Sequence, residues 1–268
     1  MTESTRAHER LSARPLAGIT RSVTGPNGRS VELFIPDSVK RRAAVDLVMH
    51  FHGAAFIPHQ SSGNAAVAVI NLGAGSGAYH RAFADPVVFD SLLTSLQREM
   101  AHVAEKPVTV GKVVLSGFSA GHGAIRAILL DPRHFARVDA ILLLDGLHTS
   151  YIPERRVLAD SGVLDTTNLS AFATFARMAM RGEKQFLVTH SEIFPGTFAS
   201  TTECADWLLQ SIGLRRTPML RWGPRGMQQL SEARSGRLEL MGFAGNSAPD
   251  HMDHLHAMPE LLQRLLKS

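Results

Sequence analysis

The motif GFSAG at residues 117–121 places Ser119 between two glycines, with KVVLS before it and AIRAILL shortly after it. A serine in a tight turn between a buried strand and a helix exposes its hydroxyl, and small residues two positions away let the backbone pass closely. The start of the following helix also helps a backbone N–H to stabilise an oxyanion. The pattern predicts Ser119 as the nucleophile of an acyl-transfer enzyme; the alternative is a glycine-rich turn with an inert serine.

A serine hydroxyl is a weak nucleophile unless a base lies within hydrogen-bond reach, and the candidates for that base are histidines near the end of the chain. Residues 247–256 read SAPDHMDHLH and follow the last predicted strand. We expect His251 in the loop or at the start of the last helix, where its ring is free to turn inward. His254 is the alternative base, because predicted helix boundaries shift by a few residues. His256 falls inside the predicted helix.

Two carboxylates stand at the ends of predicted strands after Ser119 and could orient such a base. Asp145 ends the run ILLLD, and Glu192 follows QFLVTHS. Asp145 directly follows an apolar strand expected beside the nucleophile strand, and a charge in that setting needs a partner. We therefore expect Asp145 as the acid and keep Glu192 as the alternative. The ordinary structural role for Asp145 would be a helix cap or a turn.

Taken in order, these features resemble the α/β-hydrolase superfamily of serine hydrolases, esterase- or lipase-like, over roughly residues 16–267. The resemblance rests on His52-Gly53 after an early strand, on GFSAG, and on a histidine just before the last helix. It implies cleavage of an ester, thioester or amide through an acyl-enzyme on Ser119, with a small-molecule acyl substrate. Most members carry the acid after the later strand, where Glu192 lies, and some carry it at the position of Asp145.

The segment His52-Gly53-Ala54 resembles the oxyanion motif of the same family. The glycine permits a turn after which the backbone N–H of Ala54 points at the substrate carbonyl. The N–H of Ala120 would complete the oxyanion hole. The alternative is simply a strand end with a buried histidine.

Two other interpretations start from different motifs. The segment 69–77, VINLGAGSG, resembles a nucleotide- or S-adenosylmethionine-binding loop, but a following helix is doubtful and the usual acidic residue is missing. His50 and His52, with the C-terminal histidines, could form a zinc site of a metal-dependent hydrolase, although no HExxH spacing occurs. We expect neither a cofactor nor a metal. A non-enzymatic binding module is disfavoured because no predicted catalytic residue is missing.

The elements that must position these residues alternate along the chain. Apolar runs of strand length separated by helical patterns predict an α/β fold, with a mostly parallel sheet covered by helices on both faces. The long, partly helical stretch 147–183 predicts a cap or lid insertion. The predicted strands are 16–22, 30–36, 45–51, 66–72, 112–116, 138–144, 185–190 and 237–243, and the predicted helices are 86–105, 120–130 and 252–267.

Composition limits the remaining classes. With 268 residues, 44% of them hydrophobic, we expect one α/β-hydrolase domain over residues 1–268. The single cysteine, Cys204, excludes an internal disulfide, and a polar N-terminus without a membrane-length apolar stretch favours a cytoplasmic protein. The net charge is +4, and the basic residues are scattered along the chain. This distribution disfavours nucleic-acid binding but is compatible with an anionic substrate. The sequence does not determine the oligomeric state.

Overall fold

The computed structural model describes residues 7–267, and its centre is a mixed sheet of ten strands. The order across this sheet is β1-β2-β4-β3-β5-β6-β9-β12-β11-β10, while β7 and β8 pair separately. In chain order the strands are β1 (Gly18–Thr24), β2 (Ser30–Pro36), β3 (Ala44–Phe51), β4 (Ala66–Ile70), β5 (Thr109–Phe118), β6 (Ala140–Leu144), β7 (Tyr151–Ile152), β8 (Val163–Leu164), β9 (Gln185–His190), β10 (Thr217–Trp222), β11 (Gln228–Ser235) and β12 (Leu238–Phe243).

The middle of the sheet is parallel: β4, β3, β5, β6, β9 and β12 all run in one direction. Every residue of β4 (AVAVI) and β6 (AILLL) is buried, as expected for strands covered on both faces. Antiparallel strands close both ends, with β1–β2 on one side and β11–β10 on the other. The predicted mostly parallel α/β sheet is confirmed.

Helices cover both faces of this sheet. They are α1 (Phe56–Ser61), α2 (Ser76–Ala82), α3 (Pro86–Ala104), α4 (His122–Leu129), α5 (Pro132–Arg137), α6 (Ser170–Met180), α7 (Thr201–Ser211), α8 (Ala248–His256) and α9 (Met258–Leu266). Leu92 of α3 packs in one core with Leu115 of β5, while Leu261 of α9 packs in a second core with the neighbouring Val114. Consecutive side chains of β5 therefore enter opposite cores, because side chains alternate along a strand.

Several boundaries differ from the predicted ones. The predicted helix 252–267 is two helices, since a Ser247–Asp250 capping box starts α8 earlier and Pro259 lies in the first turn of α9. The expectation that no helix follows GAGSG is wrong, because α2 begins at Ser76. Strands β10 and β11 were not predicted, since the polar sequences TPMLRW and QQLSEARS lack an apolar run.

The stretch 147–183 contains the β7–β8 pair and α6. The pair lies outside the main sheet, whereas Phe172 and Phe175 of α6 are buried in the core on one face of that sheet. Within residues 7–267, no helix has the length and hydropathy needed to cross a membrane.

Candidate active site

Three neighbouring strands each end in a residue with a left-handed backbone. His52 follows β3 with φ 74°, Ser119 follows β5 with φ 48°, and Asp145 follows β6 with φ 43°. Such values are uncommon outside glycine and cost roughly 1–3 kcal/mol each unless the surroundings impose them. Since β3, β5 and β6 lie side by side and run parallel, the three strained residues meet at one edge of the sheet.

The turn that carries Ser119 has no room for side chains at its two glycines. A Cβ atom on Gly121 would lie 2.1 Å from the carbonyl oxygen of Phe51, and one on Gly117 would lie 3.1 Å from the carbonyl carbon of Gly121. A short 3₁₀ turn, Ser119–Gly121, then leads directly into α4. The spacing of the GFSAG motif is thus required by this backbone path.

The carboxylate of Asp145 is buried and accepts hydrogen bonds on both oxygens. Oδ1 accepts from the backbone N–H of Ser191 at 2.8 Å and from the Thr201 hydroxyl at 2.7 Å. Oδ2 accepts from the Ser191 hydroxyl at 2.8 Å and from Nδ1 of His251 at 2.6 Å. Four donors on one carboxylate hold it in a single orientation.

Burial alone would raise the pKa of Asp145, because it disfavours the charged form. The neighbouring imidazoles of His254 and His251 and the hydrogen bonds from His251 and Thr201 outweigh burial. The pKa of Asp145 therefore lies well below its ordinary value, and the group is an anion at neutral pH.

His251 lies in the first turns of α8, whose start is fixed by the Ser247–Asp250 capping box. Its ring packs on Phe118, the residue before the nucleophile, with 4.5 Å between ring centroids. With Nδ1 bonded to Asp145, the Nε2 atom carries the lone pair and is the atom able to accept a proton. On the other side, Gly146 lies against Ser119, since a Cβ there would be 3.0 Å from both Ser119 N and O. The turns that carry Asp145 and Ser119 are therefore in contact.

The two alternative site residues have different surroundings. His254 is buried and shares a 2.8 Å hydrogen bond between its Nδ1 and the Thr189 hydroxyl. The side chain of Glu192 is exposed, while its backbone N–H donates to the carbonyl of Gly245 at 2.9 Å. The structure thus brings Asp145, rather than Glu192, into contact with His251.

The predicted oxyanion turn is held by a side chain that sequence reasoning did not assign. Asn71 binds the backbone of Gly53 twice: its Oδ1 accepts from the Gly53 N–H and its Nδ2 donates to the Gly53 carbonyl, both at 3.0 Å. With the N–H of Gly53 occupied, the next N–H along the turn is that of Ala54. Ala120 lies in the first turn after Ser119, where a backbone N–H has no acceptor within the helix. These are the two predicted oxyanion donors.

More imidazoles lie beside the nucleophile turn. His122 Nδ1 bonds the carbonyl oxygen of Ser119 at 2.9 Å, and the His122 ring lies 5.6 Å from that of His148. Burial lowers the pKa of His122 to about 3 and also lowers the pKa of His148. The ring of Phe198, which is 42% exposed, meets that of His148 edge-on. These rings form a cluster next to the turn that carries Ser119, and no sequence motif had singled them out.

The histidine pair considered for a metal site is engaged by the fold. His50 Nδ1 bonds the Ser116 hydroxyl at 3.0 Å and its Nε2 bonds the carbonyl oxygen of His52 at 2.9 Å, while burial lowers its pKa to about 3. His52 Nδ1 bonds the hydroxyl of Tyr79 at 3.0 Å. Over residues 7–267, the only group of three side chains close enough to share an ion is His8, Asp250 and Asp253. That group does not include the HxH pair.

The chain has the α/β-hydrolase fold, because its sheet order and the tight turn at Ser119 agree with solved structures of similar fold. S-formylglutathione hydrolase from Agrobacterium tumefaciens aligns with a TM-score of 0.50 at 10% identity, over 97% of this chain and 98% of that one. Esterase 2 from Thermogutta terrifontis, phosphoramylated by tabun, aligns with a TM-score of 0.51 at 15% identity, over 94% of each chain. No protein-family model and no curated protein matches the sequence.

Proposed function

We propose that the protein is a carboxylic-ester hydrolase that works through an acyl-enzyme on Ser119. The observation that carries the proposal is the 2.6 Å hydrogen bond from His251 Nδ1 to the buried Asp145 carboxylate, beside a serine in a strained turn. A base oriented by an acid next to such a serine is the arrangement that nucleophilic catalysis needs. Esters are favoured as substrates because the solved structures of similar fold include an esterase.

In the acylation step, Nε2 of His251 takes the hydroxyl proton while Oγ of Ser119 attacks the ester carbonyl carbon. The carbonyl π electrons move to the oxygen, and the N–H groups of Ala54 and Ala120 stabilise the resulting oxyanion. Asp145 stabilises the imidazolium and stays ionised. The tetrahedral intermediate collapses when His251 gives its proton to the departing alcohol oxygen, which leaves an ester on Ser119.

In the deacylation step, His251 removes a proton from water, and the hydroxide oxygen attacks the acyl carbon in the same oxyanion hole. Collapse returns the proton to Oγ of Ser119 and releases the carboxylic acid. Asn71 supports both steps, since its two hydrogen bonds fix the Gly53 peptide from which the turn continues to Ala54. We also propose that the whole chain is one domain and that residues 147–183 cap the site, because His148 in this stretch contacts His122.

A fluorophosphonate probe tests the proposal, because it reacts only with an activated serine. We expect one adduct, located by peptide mass spectrometry on Ser119. Ser119→Ala should lose the adduct and hydrolyse 4-nitrophenyl butanoate roughly 10³-fold more slowly or worse. The matched control, Ser150→Ala at an exposed serine, should label and turn over normally.

The same probe separates this mechanism from a metal-dependent one. Excess EDTA should leave the labelling rate unchanged, because the proposed base is an imidazole rather than a metal-bound hydroxide. Labelling that is lost on chelation and restored by zinc would contradict the proposal. So would near-normal hydrolysis by a folded Ser119→Ala variant.

A further inference from the structure

The first turns after the nucleophile carry a cationic side chain that no carboxylate neutralises. Arg126 lies in α4, and within residues 7–267 its guanidinium forms no hydrogen bond and no ion pair within 4.0 Å. Its Nε atom is buried and has no acceptor. A partly buried arginine normally sits against a carboxylate or carbonyl groups, because its donors are costly to leave unpaired.

The nearest acidic group does not fill this role. Asp165 attracts Arg126, but its carboxylate is used locally: Oδ1 accepts from the backbone N–H of Thr167 at 3.2 Å and Oδ2 accepts from the side chain of Asn168 at 2.7 Å. Burial lowers the pKa of Arg126, with the attraction to Asp165 acting in the opposite direction. The guanidinium remains charged at neutral pH, since arginine titrates only far above it.

A second buried polar group lies on the neighbouring helix α2. Nδ1 of His80 is buried and has no partner in hydrogen-bonding geometry, although the backbone of Gly123 opposes the lowering of its pKa by burial. The two helices are in direct contact, since a Cβ on Gly123 of α4 would lie 2.1 Å from the carbonyl oxygen of Ser76 in α2. His80 follows Ser76 by one helical turn, so it lies on the same face toward α4. Arg126 contributes to the lowered pKa of His80 after burial, as expected for adjacent groups.

The position of Arg126 relates this polar cluster to the nucleophile. Arg126 is one turn after His122, a rise of about 6 Å. Helical side chains lean toward the N-terminus, and the charge of Arg126 helps to lower the pKa of His122, after burial and the neighbouring His148. His122 in turn bonds the carbonyl oxygen of Ser119 at 2.9 Å.

We infer that Arg126, with His80 and His122 beside it, forms an anion-binding subsite next to Ser119, and that the preferred substrates are esters that carry a carboxylate. This inference rests on the proposed ester hydrolysis. The imidazoles act there as neutral hydrogen-bonding groups, because burial lowers the pKa of both His80 and His122. Arg126 supplies the charge and a planar pair of donors for a carboxylate.

The test compares matched ester pairs that differ only in the anionic group. In the first pair, mono-4-nitrophenyl glutarate carries a carboxylate in its acyl part, and 4-nitrophenyl pentanoate is its neutral counterpart. The 4-carboxyphenyl and 4-carbamoylphenyl esters of butanoic acid place it in the leaving group. The wild type should favour the anionic member of at least one pair by about 10- to 100-fold in kcat/KM, chiefly through KM. The pair that shows the preference identifies the side of the ester on which the carboxylate binds.

Arg126→Gln should abolish that preference, measured as the ratio of kcat/KM within each ester pair, and Arg126→Lys should keep part of it. The matched control is Arg133→Gln, which removes the same charge from an exposed arginine already paired with Asp131. If the arginine had a purely structural role, its replacement would lower the melting temperature. Arg126 has no hydrogen-bonded or ion-paired partner to lose, only the longer-range attraction to Asp165, so the variant should melt close to the wild-type temperature.

Two outcomes would contradict the proposed subsite. One is an equal preference for anionic esters in the wild type and in Arg126→Gln, and the other is faster turnover of the neutral esters by the wild type. These outcomes leave the nucleophile assignment standing if the fluorophosphonate still labels Ser119. Glutarate binding measured by calorimetry needs no turnover and tests the subsite alone. Binding by the wild type and not by Arg126→Gln supports it, whereas equal binding or no binding refutes it even if ester hydrolysis itself fails.

Discussion

Replacing Asp145 by asparagine is the most informative single change at this site, because the outcome follows from which oxygen each donor occupies. The backbone N–H of Ser191 can only donate, and it points at Oδ1 from 2.8 Å. The amide oxygen of the variant must therefore stay at that position. The amide NH₂ then takes the place of Oδ2, opposite Nδ1 of His251. An NH₂ group there donates to Nδ1 and stabilises the tautomer that carries its proton on Nε2.

An imidazole with its proton on Nε2 cannot accept the proton of Ser119. The variant also loses the negative charge that stabilises the imidazolium. We expect kcat to fall by about 10²- to 10⁴-fold, which corresponds to about 3–5 kcal/mol in the activation free energy. KM should change little, since Asp145 is buried behind His251 and touches no substrate. The measurement is steady-state hydrolysis of 4-nitrophenyl butanoate at neutral pH, with folding checked by thermal melts.

The matched control is Glu192→Gln, the same change of charge and shape on an exposed side chain. It should keep kcat within about threefold of the wild type, because an exposed carboxylate interacts weakly with distant groups. A folded Asp145→Asn variant that retains more than a tenth of the wild-type kcat would refute the argument. A dead Glu192→Gln variant would transfer the role of acid to Glu192 and leave the Ser119 and His251 assignments untouched.

Three further expectations concern backbone space, pH and the thiol. Gly121→Ala should destroy the fold or the activity, since its Cβ would lie 2.1 Å from a backbone oxygen, whereas Gly75→Ala, with nothing within 4 Å, should melt and turn over normally. Burial lowers the pKa of His190 to about 4, so the unfolded chain takes up a proton below about pH 6.5 that the folded protein does not bind. The free energy of unfolding, measured with urea, should therefore fall between pH 7 and pH 5 by about 2 kcal/mol more in the wild type than in His190→Gln. Burial raises the pKa of the Cys204 thiol to about 12, so Ellman's reagent should react only after unfolding, and reaction in the native protein would contradict its burial.

The sequence predicted most of the parallel sheet because its apolar strands are short, continuous and bounded by turns. The same feature located the candidate catalytic residues, since Ser119 and Asp145 directly follow strands whose last residues are buried. His251 could be placed near the start of the last helical region from the Pro249-Asp250 signal, although the break between α8 and α9 was not expected. Strand ends and helix starts are local signals, so a single chain segment contains them.

The supporting residues could not be predicted in this way, because their roles depend on contacts between distant segments. Asn71 acts on Gly53 across the sheet, and Thr201 reaches Asp145 from the start of α7. Asn71 lies in the segment 69–77, which suggested a different role, and Thr201 belongs to no motif. The pairing of His80 with Arg126 likewise depends on the packing of α2 against α4, and the helix that carries His80 was itself not predicted. The roles of such side chains can be assigned only when the packing of the segments is known.

In the proposed triad, the end of β9 supports an acid that follows β6 instead of supplying the acid itself. In the family that the sequence resembles, the acid usually follows that later strand, the position of Glu192. Here the preceding residue, Ser191, instead binds both oxygens of Asp145 through its N–H and its hydroxyl. The later strand therefore holds the acid rather than supplying it. Because Gly146 also packs on Ser119, moving the acid to β6 joins the acid and nucleophile turns directly, and both then share one rigid edge of the sheet.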